Sequence, residues 1–195
     1  MPVPIATLDA CVLFQGWLTD LLLNLAEAGA FEPIWSDEIH REWMTNLQAA
    51  RGIPADRIAW RRREMERAFP AANVTASAAD ITAIQAASRT AAQRKDAHVV
   101  ATAALAEADF IVTHNIKDFA PDVLARHGLV KIRPDAFCAD LLRHGEAQVL
   151  VGIRAHRASL RLNPLSAGQY IDHLAGERLG LSKLARGLGP HRAII

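Results

Sequence analysis

The sequence predicts an α/β fold in which helices cover both faces of a central parallel sheet. Three observations predict it: short apolar strands alternate with helical segments, β-hairpin signals are absent, and residues 110–112 form a continuous apolar run. Such a run is typical of a strand that is buried on both faces, as strands of parallel sheets are. Because crossovers between parallel strands are right-handed, we expect a three-layer α/β/α arrangement.

A strand and a helix open the chain, and the pattern then repeats. The first apolar segment ends at Asp9, and the apolar spacing that follows predicts a helix closed by Gly29. The segment FEPIWS predicts a second strand, after which Ser36 can cap a helix. Another helix is expected from Pro54, because proline fits the first turn of a helix.

Strands and helices continue to alternate in the second half of the chain. Residues 71–74 fit either a brief strand or a connection. The strand at residues 110–112 breaks into a loop at residues 113–115, and a helix is predicted from about Asp118 to Arg126. The other predicted elements are the helices SAADITAIQAASRTA and RKDAHVVATAALAEA before that strand, and the strand LVKIR and the helix PDAFCADLLRH after it.

Only helical patterns occur from Glu146 onward, so we predict an α/β domain over residues 1–145 and a small helical extension over residues 146–195. From residue 151 onward, seven basic residues face two acidic ones, which gives a charge of +5, whereas residues 1–150 carry −4. An acidic body with a basic tail fits a metal centre beside a surface for a polyanion, although most basic surfaces are merely solvated.

Composition indicates a globular protein. Hydrophobic residues make up 51% of the 195 residues, which is enough to close a core, and Asp20 and Glu27 interrupt the longest apolar stretch. No Lys or Arg precedes the first apolar run, unlike in a secretory signal, and we therefore place the chain in the cytoplasm. Cys11 and Cys138 belong to no metal-binding motif and are expected to be buried thiols.

Four acidic residues are predicted to meet at one edge of the sheet. Ligands of an open parallel sheet bind beyond the carboxyl ends of its strands. Asp9 lies at one such end, Asp118 lies just past another, and Asp96 opens the helix that leads into that second strand. Glu42 lies about one turn into the helix after FEPIWS, on the same face as Glu38.

Carboxylates that are crowded together repel each other unless a cation neutralises them. Mg²⁺ and Mn²⁺ prefer oxygen ligands, can activate water, and can screen a phosphate oxygen at the same time. The acids therefore predict cleavage of phosphodiester bonds with Mg²⁺ or Mn²⁺. Taken alone, Asp37, Asp96 or Asp118 is more often a helix cap than a ligand.

Asp9 is harder to explain as a cap. It follows an apolar strand and should be buried, and the neighbouring sequence supplies no partner for a buried acid. A structural hydrogen bond to a loop amide is its alternative role. Phosphatases of the haloacid dehalogenase type also place an aspartate here, but they need a second acid where Cys11 stands. Receiver domains need an acidic pair before the end of the first strand, and that pair is missing.

Four segments resemble, in order and spacing, the PIN-domain nucleases, and especially the VapC-type toxins of bacterial toxin–antitoxin pairs. The resemblance covers about residues 5–140, and its most specific parts are an acid followed by HVVATA and the later T-x-N-x-K-D-F. The four segments are TLDACVL, SDEIHREW, KDAHVVATAALAEADFIVTHN and NIKDF.

The resemblance implies a metal-dependent endoribonuclease in which Asp9, Glu42, Asp96 and Asp118 are the catalytic and metal-binding acids. It also implies that Thr113 and Asn115 orient the last of these acids or contact phosphate. The implied substrate is single-stranded RNA, and the implied partners are a second copy of the chain and an antitoxin that inserts a segment over the site.

The match departs from the family pattern in two ways. Relatives often carry further acids shortly before the third motif, where this chain has Gln93, Arg94 and Lys95. The number of metal ions, one or two, therefore stays open. Glu38 could replace Glu42 as the second acid. The alternative function is a catalytically silent PIN-like module that binds RNA or protein.

Arg57, Trp60, Arg61 and Arg62 lie on one predicted helix and form a candidate RNA contact, because arginine and aromatic side chains together suit single-stranded nucleic acid. A solvated helix with Trp60 turned inward is the commoner outcome. His98 and His114 lie near the predicted acids and are expected to be a helix residue and a loop residue more often than proton shuttles.

Overall fold

Four short parallel strands form the central sheet of the computed structural model, which describes residues 2–195. The strands are β1 (Ile5–Leu8), β2 (Glu32–Ile34), β3 (Phe110–Val112) and β4 (Val130–Ile132), in the order β2-β1-β3-β4. The register pairs Thr7 of β1 with Ile34 on one side and with Ile111 on the other. The predicted α/β class with a central parallel sheet, of the three-layer α/β/α type, is confirmed.

The chain divides into two compact units. The first, which we call the sheet unit, consists of Pro4–Gln15 and Glu32–Ile132 and contains all four strands. The second, which we call the helical unit, consists of Gly16–Phe31 and Arg133–Ile195 with the described residues before Pro4. The predicted domain boundary after residue 145 stays a prediction.

The helices of the sheet unit connect its strands. Ser36 caps the helix α3 (Asp37–Arg51) as predicted, since its hydroxyl accepts a hydrogen bond from the backbone N–H of Ile39. Aromatic side chains such as Trp35, Trp43 and Phe119 are almost completely buried in this unit. The helices are α1 (Ala10–Leu13), α3 (Asp37–Arg51), α4 (Ala55–Ala68), α5 (Ala78–Ala87), α6 (Ala91–Lys95), α7 (Ala97–Leu105) and α8 (Pro121–Arg126).

The helical unit has a core of its own. Phe31 packs edge-on against Phe137, with 5.0 Å between ring centroids. Tyr170 is fully buried, and its hydroxyl oxygen lies 2.8 Å from Nδ1 of His156. Its helices are α2 (Gly16–Glu27), α9 (Pro134–His144), α10 (Glu146–Ser159), α11 (Ala167–Ala175) and α12 (Ser182–Leu188). Among residues 2–195, no helix is long and apolar enough to cross a membrane.

Three predicted helices are interrupted or begin later in the sequence than expected. The helix after Asp9 ends at Leu13, because the N–H of Gln15 bonds to Val12 in a tight turn and Gly16 then begins a new helix. The helix predicted from Asp118 begins only at Pro121, because the residue before a proline is disfavoured in helical conformation. Asp118 lies instead in a 3₁₀ turn.

The third interruption falls at Asp96, which separates α6 from α7 with φ −87° and ψ 9°. The ambiguous segment at residues 71–74 is a connection with a single bridge, between Trp35 and Asn73.

Close contact between α2 and α10 in the helical unit depends on Gly152. A Cβ at this position would lie 2.8 Å from the carbonyl oxygen of Asn24 and 2.9 Å from the Cα of Leu25. Both atoms are backbone atoms that cannot turn away. The helix AQVLVGIRAHRASL therefore packs against a neighbouring helix along the face that carries this glycine.

We predict that Gly152→Ala lowers the free energy of unfolding by about 1–3 kcal/mol, because the two helices must separate to admit the methyl group. Urea unfolding followed by circular dichroism measures the change. The control is Gly189→Ala, where a Cβ would meet no atom within 4 Å. Equal stability of the two variants would contradict the prediction.

Candidate active site

Asp9 lies directly after β1 and is 4% exposed, so its predicted burial is confirmed. Its backbone N–H bonds to the carbonyl oxygen of Val112, which aligns the ends of β1 and β3. Oδ2 of Asp9 accepts a hydrogen bond from the hydroxyl of Thr113 at 2.6 Å and from the thiol of Cys11 at 3.0 Å. The carboxylate thus has polar partners at the carboxyl edge of the sheet.

The role expected for Thr113 changes as a result. Thr113 is fully buried, and its hydroxyl holds the first acid, Asp9, and not the last one. The same oxygen accepts the backbone N–H of Asn115 at 2.9 Å, and the carbonyl of Asn115 accepts the N–H of Asp118. Asn115 therefore fixes the backbone at Asp118.

Cys11 was not among the predicted site residues. Its sulfur accepts the N–H of His114 at 3.3 Å and lies 3.5 Å from the hydroxyl of Thr113. The expectation of a buried thiol is wrong for Cys11, which is half-buried, and right for Cys138. Burial and the nearby Asp9 carboxylate raise the pKa of Cys11 to about 12, so the thiol stays protonated and can donate. The feature of the sequence that could have identified Cys11 as a site residue was its position two residues after Asp9.

Asp96 is a second buried acid, with 8% of its surface exposed. Its side chain caps neither adjoining helix, and no described basic group lies within ion-pair distance of it. Burial, and next the charge of Asp9, raises the pKa of Asp96 to about 6, while Glu42 and Asp118 act in the same direction. Burial and the neighbouring carboxylates therefore disfavour the ionised form of Asp96, against an opposing effect of Lys95.

Glu42 projects from α3 toward two basic side chains. Its Oε1 lies 3.4 Å from Nζ of Lys95, and its Oε2 lies 3.6 Å from Nε2 of His98. His98, above all, lowers the pKa of Glu42, and Lys95 adds to the effect. His98 lies in the helix α7, as expected, and is buried. Glu38 instead forms an ion pair with Arg41.

Asp9, Glu42 and Asp96 line one cavity of about 550 Å³. Asp118 does not line this cavity, although its charge reaches Asp96. Within residues 2–195, no group of three or more His, Cys, Asp or Glu side chains is close enough to hold a metal ion. The other lining residues are Ala10, Cys11, Phe14, Asn46, Ala49, Ala50, Lys95 and Asn115.

The donor set nevertheless suits a hard divalent cation. Asp9 accepts both of its hydrogen bonds through Oδ2, and Asp96 has no cap hydrogen bond, so carboxylate oxygens remain for a ligand. Mg²⁺ commonly uses one or two carboxylates and keeps several waters, and it does not need three protein ligands. The cavity therefore fits such an ion through Asp9 and Asp96.

The candidate RNA contacts on α4 differ from one another. Arg62 forms ion pairs with Asp37 at 2.5 Å and with Glu66 at 2.8 Å, whereas Arg57 is exposed. Arg61 donates to the carbonyl of Leu13, and its guanidinium lies 4.8 Å from the ring centroid of Trp43. The expectation that Trp60 turns inward is wrong, since the residue is 58% exposed. An RNA contact stays a prediction.

His114 is a loop residue, as expected, and its Nε2 lies 3.2 Å from Nε2 of Gln15.

The fold and the cavity define an α/β protein with an acidic site at the carboxyl edge of a parallel sheet. A family model of the PIN domain matches residues 6–117, more than half of the chain, and the chain therefore belongs to the PIN domain family. PIN domains are generally metal-dependent nucleases. The match includes Asp9, Glu42 and Asp96 and ends one residue before Asp118. No curated protein and no solved structure matches the chain.

We predict that Thr113→Val lowers the free energy of unfolding by about 1.5–3 kcal/mol, because the buried carboxylate of Asp9 loses a charge-assisted hydrogen bond. Thr113→Ser keeps the hydroxyl and should lose less than half as much. Thermal and urea unfolding in the presence of chelator measure both changes without a contribution from metal. A serine variant as unstable as the valine variant would contradict the hydrogen-bonding role.

Proposed function

We propose that the chain is a Mg²⁺- or Mn²⁺-dependent endoribonuclease that cleaves RNA phosphodiester bonds, with Asp9, Glu42, Asp96 and Asp118 as its acids. The observation that carries the proposal is the convergence of Asp9, Glu42 and Asp96 in one cavity, although they come from three distant segments of the chain. Burying acids together is unfavourable, and a cation offsets the cost.

Asp9 and Asp96 would hold the metal ion, because both are nearly buried and neither is in an ion pair among the described residues. A bound divalent ion supplies positive charge that screens the phosphate and favours attack by water at phosphorus. The Thr113 hydroxyl and the Cys11 thiol hold Asp9 in place. Glu42 holds Lys95 at the rim, where its ammonium can attract the phosphate.

The finer parts of the proposal rest on the resemblance to VapC-type toxins. We propose that the chain acts in the cytoplasm as the toxin of a toxin–antitoxin pair, forms a homodimer, and is inhibited by an antitoxin segment placed over the acidic cavity. A chain that sediments as a monomer under the conditions of cleavage would contradict the homodimer.

We predict that the purified chain cleaves single-stranded RNA in Mg²⁺ or Mn²⁺, and that chelator, Asp9→Ala or Asp96→Asn lowers the rate at least 100-fold. The reason is that each change removes the ion or one of the carboxylates proposed to hold it. The measurement is product formation from labelled RNA, together with sequencing of RNA ends from cells that express the chain.

The matched control is Asp122→Asn. Asp122 pairs with Arg89 and does not line the acidic cavity, so the variant should cleave at the normal rate. Cut sites and growth arrest with the unmodified chain, both missing with Asp96→Asn, would support the toxin role. Cleavage that survives in Asp9→Ala and Asp96→Asn would refute the proposed chemistry.

A second candidate function, a catalytically silent module that binds RNA or protein, is favoured by two observations. Glu42 lies between Lys95 and His98, and the described residues contain no close group of three potential metal ligands. A site in which basic side chains replace the metal would retain its acids for structural reasons. The two functions differ in their affinity for metal.

For the nuclease, we predict binding of one Mn²⁺ ion per chain with a dissociation constant below 1 mM, on the order expected for an oxygen-ligand site. Lys95→Gln should tighten binding roughly tenfold, because the Lys95 ammonium lines the same cavity and repels the ion. Isothermal titration calorimetry measures both values, with Lys183→Gln as the control in the helical unit. No heat at millimolar Mn²⁺ would favour the silent module.

A further inference from the structure

Several residues that line the acidic cavity have no role in holding a metal ion. They include Phe14, Ala49 and Ala50. An ion site needs oxygen atoms, and neither an aromatic ring nor a methyl group supplies them. The cavity, at about 550 Å³, also falls within the size range of sites that enclose an organic ligand.

Phe14 is held at the rim of this cavity. It immediately follows α1, its N–H bonds to the carbonyl of Ala10, and its side chain is half-buried. A phenylalanine that served only the core would be expected to be buried, as Phe119 is. The ring therefore presents part of its surface to whatever enters the cavity.

Arg51 lies next to this ring. Its guanidinium carbon is 5.1 Å from the ring centroid of Phe14, within the range of a cation–π contact. Arg51 is the last residue of α3, which ends at Gly52 in a left-handed conformation. It is exposed, and no carboxylate among the described residues lies within ion-pair distance of it. A planar cation that lies beside an aromatic ring and has no carboxylate partner suits both a phosphate and a base.

We propose that Phe14 and Arg51 form a nucleotide subsite, in which a base of single-stranded RNA stacks against Phe14 and Arg51 contacts a phosphate next to the scissile one. This inference rests on the proposed nuclease function and specifies how its substrate is held. The base must leave its own stack to enter the cavity, and single strands allow this at the lowest cost.

The test measures binding of a short oligoadenylate and of an abasic RNA strand with the same length and charge. Both are measured by fluorescence anisotropy in Mg²⁺ with the full chain carrying Asp96→Asn, so that the RNA is not cut. Stacking on an aromatic side chain makes binding of the base-containing strand about 5- to 100-fold tighter. Phe14→Leu, which keeps the apolar bulk, should abolish this preference, and Phe14→Trp should keep it.

Arg51 is tested through the salt dependence of binding. Loss of one phosphate contact should reduce the slope of log K against log salt concentration by about 0.7 in Arg51→Ala, but not in Phe14→Leu. The control is Arg126→Ala, on a residue that lines a different cavity. Thermal unfolding checks that each variant is folded. If Phe14→Leu does not fold, the subsite is tested by the base preference of Phe14→Trp and the salt dependence of Arg51→Ala.

The outcomes separate this inference from the proposed function. An unmodified chain that cleaves RNA, together with a Phe14→Leu variant that keeps the full preference for bases, would overturn the subsite and leave the nuclease intact. An unmodified chain that neither binds nor cleaves RNA would overturn both. A lost preference in Phe14→Leu with an unchanged affinity for Mn²⁺ would support the subsite as separate from the metal ligands.

Discussion

The site depends on a hydrogen bond between neighbouring strand ends, from Thr113 to the buried carboxylate of Asp9. In the order β2-β1-β3-β4, the chain leaves β1 toward β2 on one side and later reaches β3 on the other. The direction in which the chain adds strands therefore reverses between β1 and β3. Open parallel sheets bind ligands at the carboxyl edge of such a switch point. Asp9 and Thr113 lie on its two sides.

The hydrogen bond also explains how a charge can be buried there. An ionised carboxylate without partners is very unfavourable in a protein interior. Thr113 and Cys11 each donate to the same oxygen of Asp9, and this compensates part of the cost without a basic side chain. Because the compensation comes from neutral donors, the negative charge persists and acts on Asp96.

Much of this arrangement could be predicted from the sequence. The alternation of apolar runs with helical segments predicted the α/β class. The position of Asp9 at the end of a strand predicted that its side chain is buried. The partner of Asp9 could not be predicted, because Thr113 lies far away in the sequence and its position depends on the pairing of β1 with β3. The thiol of Cys11 was nearby, but cysteine is a weak donor that sequence patterns rarely identify as a partner.

Helix interruptions show the limits of local pattern. The local pattern predicted both a helix that runs through Asp96 and a helix that Asp96 opens, and only the structure decides for the second. Similarly, Glu38 and Glu42 share a helix face, and spacing alone cannot choose between them. Only the structure shows that Arg41 pairs with Glu38 while Glu42 lines the cavity.

Charge balance bears on how many ions the site can hold. Asp9, Glu42 and Asp96 line the cavity together with Lys95, which leaves a net charge of −2 when all four are ionised. One divalent cation neutralises this charge, whereas a second would create an excess of positive charge in a partly buried cavity, where charges are poorly screened. The ammonium of Lys95 supplies a positive charge within this lining. The charges that line the cavity, with Lys95 already counted among them, therefore match the single ion proposed above.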